Sequence, residues 1–377
     1  MSIIARNADY TKEYNRKLVL RLLRYQPLSR AEIARRTGLT RASTSLIASE
    51  LLADGLVREM SPVANPRGRT STPLQLCPEA MYVIGIYLNR DGCSAGLVDA
   101  GGRILASSEV RMADRGGRLE PLRQAVGKLS CMEGVPRDRL MGIGISAPGP
   151  LDGESGRILN PPRFDLWHQV EIGPLLQEAT GLPVFLANNA TCLASSHCGR
   201  PEGNGSSNFL LLLVDSGVGS GVISKGKVLK GMGYFTSELG HTTIRYDGRP
   251  CDCGNIGCLE EYAAIPKLLA GTGFHSWKEV VDALDSNLEA VHLLEQEAEY
   301  LSAAIVNLTN LVRIDSVLLA GDLLYGAERI IPLIERRVNQ RCLRLGGKAI
   351  QVYPSASVPG IRILAAADVA FDRLLQV

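Results

Sequence analysis

The sequence predicts an α/β fold in two parts, a winged helix-turn-helix head over residues 1–76 and a larger body over residues 81–377. Three observations lead to this prediction. A chain of 377 residues exceeds the usual size of one hydrophobic core, so more than one folding unit is expected. Charge divides the chain at the same boundary, because the head contains 13 Lys/Arg and 6 Asp/Glu whereas the remainder contains 28 and 33. Beyond the boundary, apolar strand-like runs alternate with amphipathic helical stretches.

The first two helices of the head are marked by periodicity and by capping residues. Apolar residues recur on one face over residues 11–25, and Pro27 ends this helix. Ser29 and Glu32 have the spacing of a capping box, in which each side chain bonds the backbone amide of the other residue. A second helix is therefore expected to begin after Ser29 and to end at Gly38.

The third helix of the head has the pattern of a DNA recognition helix. Thr40 can cap its N-terminus, and Gly55 ends it. Its first turns carry four small polar or basic side chains: Arg41, Ser43, Thr44 and Ser45. Such side chains suit the major groove, where the N-terminal part of a recognition helix meets base edges and phosphates.

A β-hairpin over residues 56–76 is expected to form the wing. Its tip contains Arg67 and Arg69, which could enter a minor groove. The excess of basic residues in the head favours a polyanionic partner, operator DNA. The alternative is a small helical interaction domain with a solvated basic face. The order of cap, glycine turn, polar helix start and basic hairpin tip favours DNA binding over that alternative.

The body has the pattern of a globular protein outside the membrane. Its strand-like runs include Tyr82–Tyr87, Ser94–Asp99 and Ser316–Gly321, and a long amphipathic helical stretch covers residues 288–312. No apolar run approaches membrane-spanning length and the N-terminus lacks a cleavable signal pattern, so a cytoplasmic location with no membrane partner is expected. The 9 cysteines form no regular framework, which favours reduced thiols and one metal cluster over disulfides.

A cysteine-rich segment of the body predicts a metal site. Cys251, Cys253 and Cys258, with His241 just upstream, supply three thiolates and one imidazole, a complete tetrahedral set for Zn²⁺. Four protein ligands leave no open position for a reactive water, so the zinc is expected to be structural. The alternative is a group of reduced cysteines in a glycine-rich turn, which the Cys-x-Cys-x4-Cys spacing disfavours.

The same segment carries a family resemblance. Residues 251–260 read CxCGxxGCLE and residues 238–241 read ExGH, and together they resemble the signature of the ROK family of repressors, open reading frames and sugar kinases. The resemblance covers nearly the whole chain. It implies that the head is similar to the winged helix of ROK repressors. It also implies that the body is a two-lobed, actin-like (sugar kinase/ribonuclease H-like) fold whose second lobe begins near residue 190.

The resemblance further implies a sugar-binding cleft. The residues that match the family's sugar-contacting region are Asn188, Asn189, Glu238, His241 and Glu260. Carboxylates accept hydrogen bonds from vicinal hydroxyls and amides both donate and accept, so such a convergent group suits a polyol. With one ring nitrogen of His241 on zinc, the other remains free to donate to a ligand hydroxyl. For the two glutamates the alternative is a structural role around the zinc loop.

Four departures from the family pattern argue against phosphoryl transfer. Asn189 replaces the aspartate that acts as general base in the kinases, and an amide cannot usefully take up a proton near neutral pH. The turn Asn89-Arg90-Asp91 lacks the acid and the paired glycines that approach magnesium and phosphates. Asp215 adds negative charge to the phosphate loop, and alanine replaces a glycine near residues 364–367. The sequence therefore predicts a protein without kinase activity.

Together these patterns predict a DNA-binding transcriptional regulator, a repressor of carbohydrate genes that senses a sugar or sugar derivative in a disabled kinase cleft. A homodimer or homotetramer is expected to place two heads on the operator. One alternative is a bifunctional ROK sugar kinase with a DNA-binding head, which nucleotide binding would identify. Another is a DNA-binding structural or corepressor-docking protein without an inducer, whose melting temperature no sugar would shift.

Overall fold

The computed structural model describes residues 8–64, 70–89, 92–111, 119–162, 164–198, 206–229, 237–343, 348–356 and 358–376. The helices are α1 Ala8–Tyr25, α2 Arg30–Thr37, α3 Arg41–Ala53, α4 Glu120–Ser130, α5 Ile172–Thr180, α6 Asn189–His197, α7 Glu260–Ala263, α8 Ile265–Leu268, α9 Trp277–Asp282, α10 Leu288–Leu311, α11 Ala327–Arg341 and α12 Ile361–Leu374. The strands are β1 Leu28–Ser29, β2 Val57–Glu59, β3 Val63–Ala64, β4 Thr70–Ser71, β5 Pro73–Leu76, β6 Tyr82–Leu88, β7 Gly92–Asp99, β8 Ile104–Arg111, β9 Leu140–Ala147, β10 Leu151–Asp152, β11 Arg157–Ile158, β12 Val184–Asn188, β13 Phe209–Val214, β14 Val218–Ser224, β15 Lys227–Val228, β16 Ser316–Gly321 and β17 Gln351–Pro354. Within the described ranges, no helix combines the length and the apolar character needed to cross a membrane.

The helices of the head form where its local signals predict them. Ser29 caps α2 in a reciprocal capping box with Glu32, and Gly38 ends this helix with a φ of 74°. Thr40 caps α3 by accepting a bond from the backbone amide of Ser43. The three helices share a hydrophobic cluster with an antiparallel sheet in which β5 lies between β1 and β2. The predicted caps and the predicted pairing of the wing strands are therefore confirmed.

The body consists of two lobes with the same strand order. The first-lobe sheet, within residues 82–188, runs β12-β9-β6-β7-β8, and the second-lobe sheet, within residues 209–354, runs β17-β16-β13-β14-β15. In each sheet the three strands that come first along the chain, β6 to β8 or β13 to β15, form an antiparallel meander. The two later strands, β9 and β12 or β16 and β17, add to it in parallel. This duplication confirms the predicted two-lobed architecture.

The repeated topology places a cleft at the carboxyl ends of the parallel strands. Tyr87 lies near the end of β6, Gly149 follows β9, Asn188 ends β12 and Asp215 follows β13. All four residues line one pocket. Ligands of open α/β sheets bind at this edge because the loops that follow the strands converge there.

Helix α12 completes the first lobe although it comes from the end of the chain. A Cβ atom on Gly144 would lie 1.9 Å from the carbonyl oxygen of Ala366, and one on Gly85 would lie 2.3 Å from that of Ile363. The backbones of α12, β6 and β9 are therefore in direct contact, and the alanines of residues 365–367 are fully buried there. Of these alanines, which were expected to mark a lost nucleotide site, Ala366 and Ala367 pack α12 against the first-lobe sheet, whereas Ala365 belongs to a cluster with α6 and the second-lobe strands.

Helix α10 buries a carboxyl group in the core of the second lobe. Glu297 has no exposed surface, and neither of its carboxyl oxygens has a hydrogen-bond partner among the described residues. Burial raises the pKa of Glu297 well above its ordinary value, because an isolated charge is poorly solvated in the core. The folded protein therefore favours the protonated form of this side chain.

Replacing Glu297 by methionine is expected to raise the free energy of unfolding by about 1–3 kcal/mol, since it removes a buried polar group that lacks a partner. Above a pH of about 4.5, the ordinary pKa of this group, the unfolded chain releases the Glu297 proton while the folded chain retains it. The stability of the wild-type protein therefore falls as the pH rises from this value toward the higher pKa of the folded protein. Urea unfolding between pH 5 and 8 should show a smaller decrease in the free energy of unfolding with pH for Glu297→Met than for the wild-type protein. The exposed control Glu289→Met should keep the wild-type slope. Equal slopes for all three proteins would contradict the prediction.

Candidate ligand cleft and metal centre

The five residues selected from the sequence as ligand contacts meet in one cleft. Asn188 and Asn189 lie at the junction of β12 and α6, at the edge of the first lobe. Glu238, His241 and Glu260 come from the second lobe, and all five line the same pocket. The geometry thus brings together side chains from both sides of the cleft, and their contact with a sugar remains a prediction.

The two amides present hydrogen-bond donors to the cleft. The Oδ1 atom of Asn188 accepts bonds from the backbone amides of Ala190 at 2.9 Å and Thr191 at 3.4 Å, which caps α6. The Oδ1 atom of Asn189 accepts a bond from the hydroxyl of Ser146 at 2.7 Å. The side-chain NH₂ groups of both residues are available to donate to a ligand, and Oδ1 of Asn189 keeps one lone pair with which to accept a bond.

The two glutamates supply acceptors to the same region. A Cβ atom on Gly149 would lie 3.4 Å from Oε1 of Glu238, so this carboxylate stands over the turn that follows β9. Glu260 is buried, and its Oε2 atom accepts a bond from the backbone amide of Val218 at 3.0 Å. Burial raises the pKa of Glu238, while His241 opposes this shift and the charge of Glu260 adds to it. Carboxylate acceptors and amide donors around one cavity are what a ligand with several hydroxyls requires.

His241 and the three predicted cysteine ligands converge. The Nδ1 atom of His241 lies 3.6 Å from Sγ of Cys251, and the Sγ atoms of Cys253 and Cys258 are 3.7 Å apart. All four ligand atoms lie within 4.8 Å of one another. With Zn–S near 2.3 Å and Zn–N near 2.0–2.1 Å, a zinc tetrahedron has edges of roughly 3.5–3.8 Å. The four atoms therefore fit a tetrahedral metal ion with little movement.

The loop around the four ligands is shaped for close packing. Gly257 has a φ of 71°, and a Cβ atom there would lie 1.6 Å from the carbonyl oxygen of Arg245. The side-chain amide of Asn255 donates to the carbonyl of His241 at 3.2 Å and to Sγ of Cys258 at 3.3 Å. These contacts hold the ligand residues in place, as groups around metal ligands commonly do.

His241 connects the metal centre with the cleft. Its Nδ1 atom faces Cys251, while the residue also lines the pocket beside Glu238 and Glu260. A metal bound at Nδ1 would place the ring proton on Nε2 and fix the orientation of the ring. The polar side of the cleft thus depends on the order of the cysteine loop.

An arginine that could not be recognised from the sequence bonds two of the residues that line the cleft, Tyr87 and Asp215. Arg362, in the first turn of α12, donates through Nη2 to Oδ2 of Asp215 at 2.9 Å and through Nη1 to the hydroxyl of Tyr87. Its guanidinium also lies 4.8 Å from the centre of the Tyr87 ring. Asp215, which was expected to add negative charge to the phosphate loop, is paired with Arg362, so the charge at this position is balanced. Residues 90–91 of the predicted altered turn lie outside the described residues.

Helix α3 presents most of its predicted DNA contacts to solvent. Arg41 and Ser45 are exposed, and Ser43 is half-buried. Thr44 is only 1% exposed, and its hydroxyl donates to the carbonyl of Thr40 at 3.0 Å. The prediction that Thr44 meets DNA is therefore corrected, because its side chain belongs to the inner face of the helix.

One further residue of α3 has the exposure expected of a DNA contact. Leu46 is 63% exposed and follows Ser45 on the outer side of the helix. A selection based on polar residues missed it, although an aliphatic side chain can contact the methyl group of thymine. The wing residues Arg67 and Arg69 lie outside the described part of the chain, so their contact with DNA remains a prediction.

Comparison with known proteins matches both parts of the chain. The model of the ROK family matches residues 83–357. The xylose repressor of Bacillus spizizenii is 25% identical over 376 residues, which cover 98% of this chain and 97% of that protein. The DNA-binding transcriptional repressor Mlc of Escherichia coli is 25% identical over 363 residues, covering 91% and 89%. The transcriptional dual regulator NagC of Escherichia coli is 26% identical over 358 residues, covering 90% and 87%.

Two solved structures are similar to different shares of the chain. A crystal structure of a ROK family transcriptional regulator, described as a homologue of the E. coli MLC protein, has a TM-score of 0.80 at 26% identity and covers 97% of this chain and 98% of its own. The ROK hexokinase of Thermus thermophilus has a TM-score of 0.65 at 29% identity. It covers 78% of this chain and 99% of its own. The kinase is thus similar to part of the chain, whereas the regulator is similar to nearly all of it.

Proposed function

This chain belongs to the ROK family, and from that membership we propose that it is a DNA-binding transcriptional repressor of carbohydrate genes controlled by a sugar or sugar derivative. The observation that carries the proposal is the extent of the similarity. The xylose repressors, Mlc and the solved ROK regulator are similar to the chain over head and body, whereas the hexokinase covers 78% of it. The presence of the head therefore favours regulation over catalysis.

The proposed effector site is the polar side of the cleft. Asn188 and Asn189 would donate to ligand hydroxyls, and Glu238 and Glu260 would accept from them. His241 would contribute a donor from the ring nitrogen that does not face the cysteines. This arrangement suits a sugar whose adjacent hydroxyls bridge amides of the first lobe and carboxylates of the second.

A structural zinc ion is proposed for the cysteine loop. His241, Cys251, Cys253 and Cys258 would hold it, and the ion would supply a crosslink between the loop and the cleft residue His241. Four protein donors leave it no free position, so the zinc would order the cleft and take no part in a reaction.

The proposed DNA contacts lie on the head. Arg41, Ser43 and Ser45 of α3 would enter the major groove, and Arg67 and Arg69 would follow the backbone or a minor groove. A homodimer or homotetramer would present two heads to the operator, in the cytoplasm. A sugar that favours one angle between the lobes would then change the position of the heads and hence operator affinity.

The alternative function is a sugar kinase that also binds DNA. The similarity of the body to the hexokinase favours it. The family resemblance, however, implies that Asn189 replaces the aspartate base of the kinases. Nucleotide binding distinguishes the two functions, since a pure regulator needs none.

Wild-type protein is expected to retain specific duplexes from a random DNA pool, and one sugar from a thermal-shift screen should change its affinity for them.

In Glu260→Gln, one oxygen remains for the amide of Val218, but the charged acceptor is lost. This variant should keep its DNA affinity within about twofold, while about tenfold more sugar is needed for the same effect. Fluorescence anisotropy with labelled duplex measures both quantities.

The exposed control Glu289→Gln should behave as wild type in both titrations. Absence of any retained duplex would refute the repressor proposal. Retention of DNA without a response to any sugar in the screen would instead favour a regulator that has no inducer. A shift produced by ATP would favour the kinase alternative.

A further inference from the structure

We propose that helix α12 transmits the state of the ligand cleft to the DNA-binding head, with Arg362 as its contact at the cleft and Asp368 as its contact at the head. The inference rests on the proposed function and identifies the element through which the cleft acts on the head. Both residues are positioning residues, since neither is assigned to the sugar or to DNA.

The first part of the argument is the contact at the cleft. Arg362 bonds Asp215, which follows β13 of the second lobe, at 2.9 Å. The same guanidinium bonds and stacks on Tyr87, which belongs to β6 of the first lobe. Arg362 therefore joins the two lobes at the cleft, and a change in the angle between them must alter this contact.

The second part is the contact at the head. Arg24, in the last turn of α1, forms an ion pair with Asp368 of α12, and each side chain is only 6% exposed. The Arg24 guanidinium also lies 4.1 Å from the centre of the Phe371 ring. One residue further, the hydroxyl of Tyr25 donates to Asp372 at 3.2 Å. The end of α1 is thus held by side chains of α12.

The third part is the rigidity of the connection. Helix α12 contains 14 residues and is therefore about 20 Å long. The hydrophobic cluster that contains Val19 and Leu51 of the head also contains Leu364 and Phe371 of α12. A displacement at one end of such a packed helix reaches the other end as a displacement of the whole element.

The ion pair between Arg24 and Asp368 couples a displacement of α12 to helix α1 of the head. Within the described structure, the Nε and Nη1 atoms of Arg24 have no hydrogen-bond partner, and its buried charge is balanced by two carboxylates of α12, Asp368 in the ion pair and Asp372 nearby. A buried ion pair adds little net stability, but separating its charges is costly. Movement of α12 must therefore either carry the end of α1 with it or leave Arg24 unpaired.

Hydrogen exchange on the full-length protein tests the connection without requiring DNA or a sugar. Arg362→Gln breaks the cleft contact, and we expect about fivefold faster amide exchange in residues 21–25 of α1. Asp368→Asn breaks the head contact directly and should accelerate the same amides. The control Arg341→Gln, which removes an exposed ion pair with Glu299 between α10 and α11, should leave them unchanged.

A second variant shows whether the effect comes from the lost contact or from a local change at Arg362. Asp215→Asn removes the same contact from the second lobe and should also accelerate exchange at the end of α1. In the double variant of Arg362→Gln and Asp368→Asn, the two effects should combine to less than their product, because they interrupt one connection. If Arg362→Gln and Asp215→Asn both leave exchange in residues 21–25 at the wild-type rate while Asp368→Asn accelerates it, the proposal is wrong.

The result of the exchange experiment can be distinguished from the result of the test of the proposed function. If the wild-type protein retains no duplex, the repressor proposal fails, but the exchange rates still decide whether α12 connects cleft and head. If DNA is retained and exchange in α1 is insensitive to the cleft variants, the repressor proposal stands and the role of α12 fails.

Discussion

Purified protein is expected to transfer no phosphate from ATP to any sugar. General-base catalysis contributes on the order of 100- to 10,000-fold, and Asn189 cannot provide it. Asn189→Asp should not restore turnover, because Arg362 is bonded to both Asp215 and Tyr87 and ties up the phosphate-loop residue Asp215. A coupled assay of ADP release over a panel of sugars measures the rate for both proteins.

A ROK sugar kinase assayed beside them serves as the positive control for the panel. Sugar-dependent ADP release by the wild-type protein at ordinary kinase rates, about 1–100 s⁻¹, would overturn the non-catalytic proposal. Turnover by Asn189→Asp alone would show that the missing base is the single defect and that the nucleotide side still functions.

Cys253→Ser is expected to lose most of the bound zinc and to lower the melting temperature by about 5 °C or more. A hydroxyl is a far weaker zinc ligand than a thiolate, and metal binding at a structural site contributes directly to folding free energy. Elemental analysis should give about one zinc per chain for wild type and much less for the variant.

The matched control is Cys131→Ser, since Cys131 is likewise exposed but lies outside the metal cluster. It should retain full zinc and the wild-type melting temperature. Unchanged metal content in Cys253→Ser would refute the proposed ligand set. Because His241 is part of that set, loss of zinc should also weaken the response to a sugar.

Features encoded by neighbouring residues were predictable from the sequence. The capping box of Ser29 and Glu32 depends on a spacing of three residues, and the backbone reversal at Gly38 depends on one glycine. The cysteines of the metal centre also lie within a short segment. Local spacing is sufficient in these cases because the chain between the partners has few ways to fold.

Contacts between distant residues were not predictable in this way. Asp215 and Arg362 are 147 residues apart, so the pairing that balances the charge of Asp215 could not be predicted from the sequence. The ion pair of Arg24 with Asp368 spans 344 residues. Thr44 was misjudged for a different reason, since its polarity favoured exposure whereas the phase of α3 turns it inward. Tertiary packing decided all three cases.

The position of α12 after the second-lobe strands in the chain has a consequence for biosynthesis. The strands of the second-lobe sheet, from β13 to β17, leave the ribosome before α12 does. The first lobe and the head are synthesised earlier still, yet both pack against α12. The hydrophobic cluster that joins the head to the first lobe must therefore wait for α12 before it can close. A nonsense mutation just before residue 361 would leave this cluster incomplete and abolish regulation, although every proposed DNA, sugar and zinc contact had already been translated.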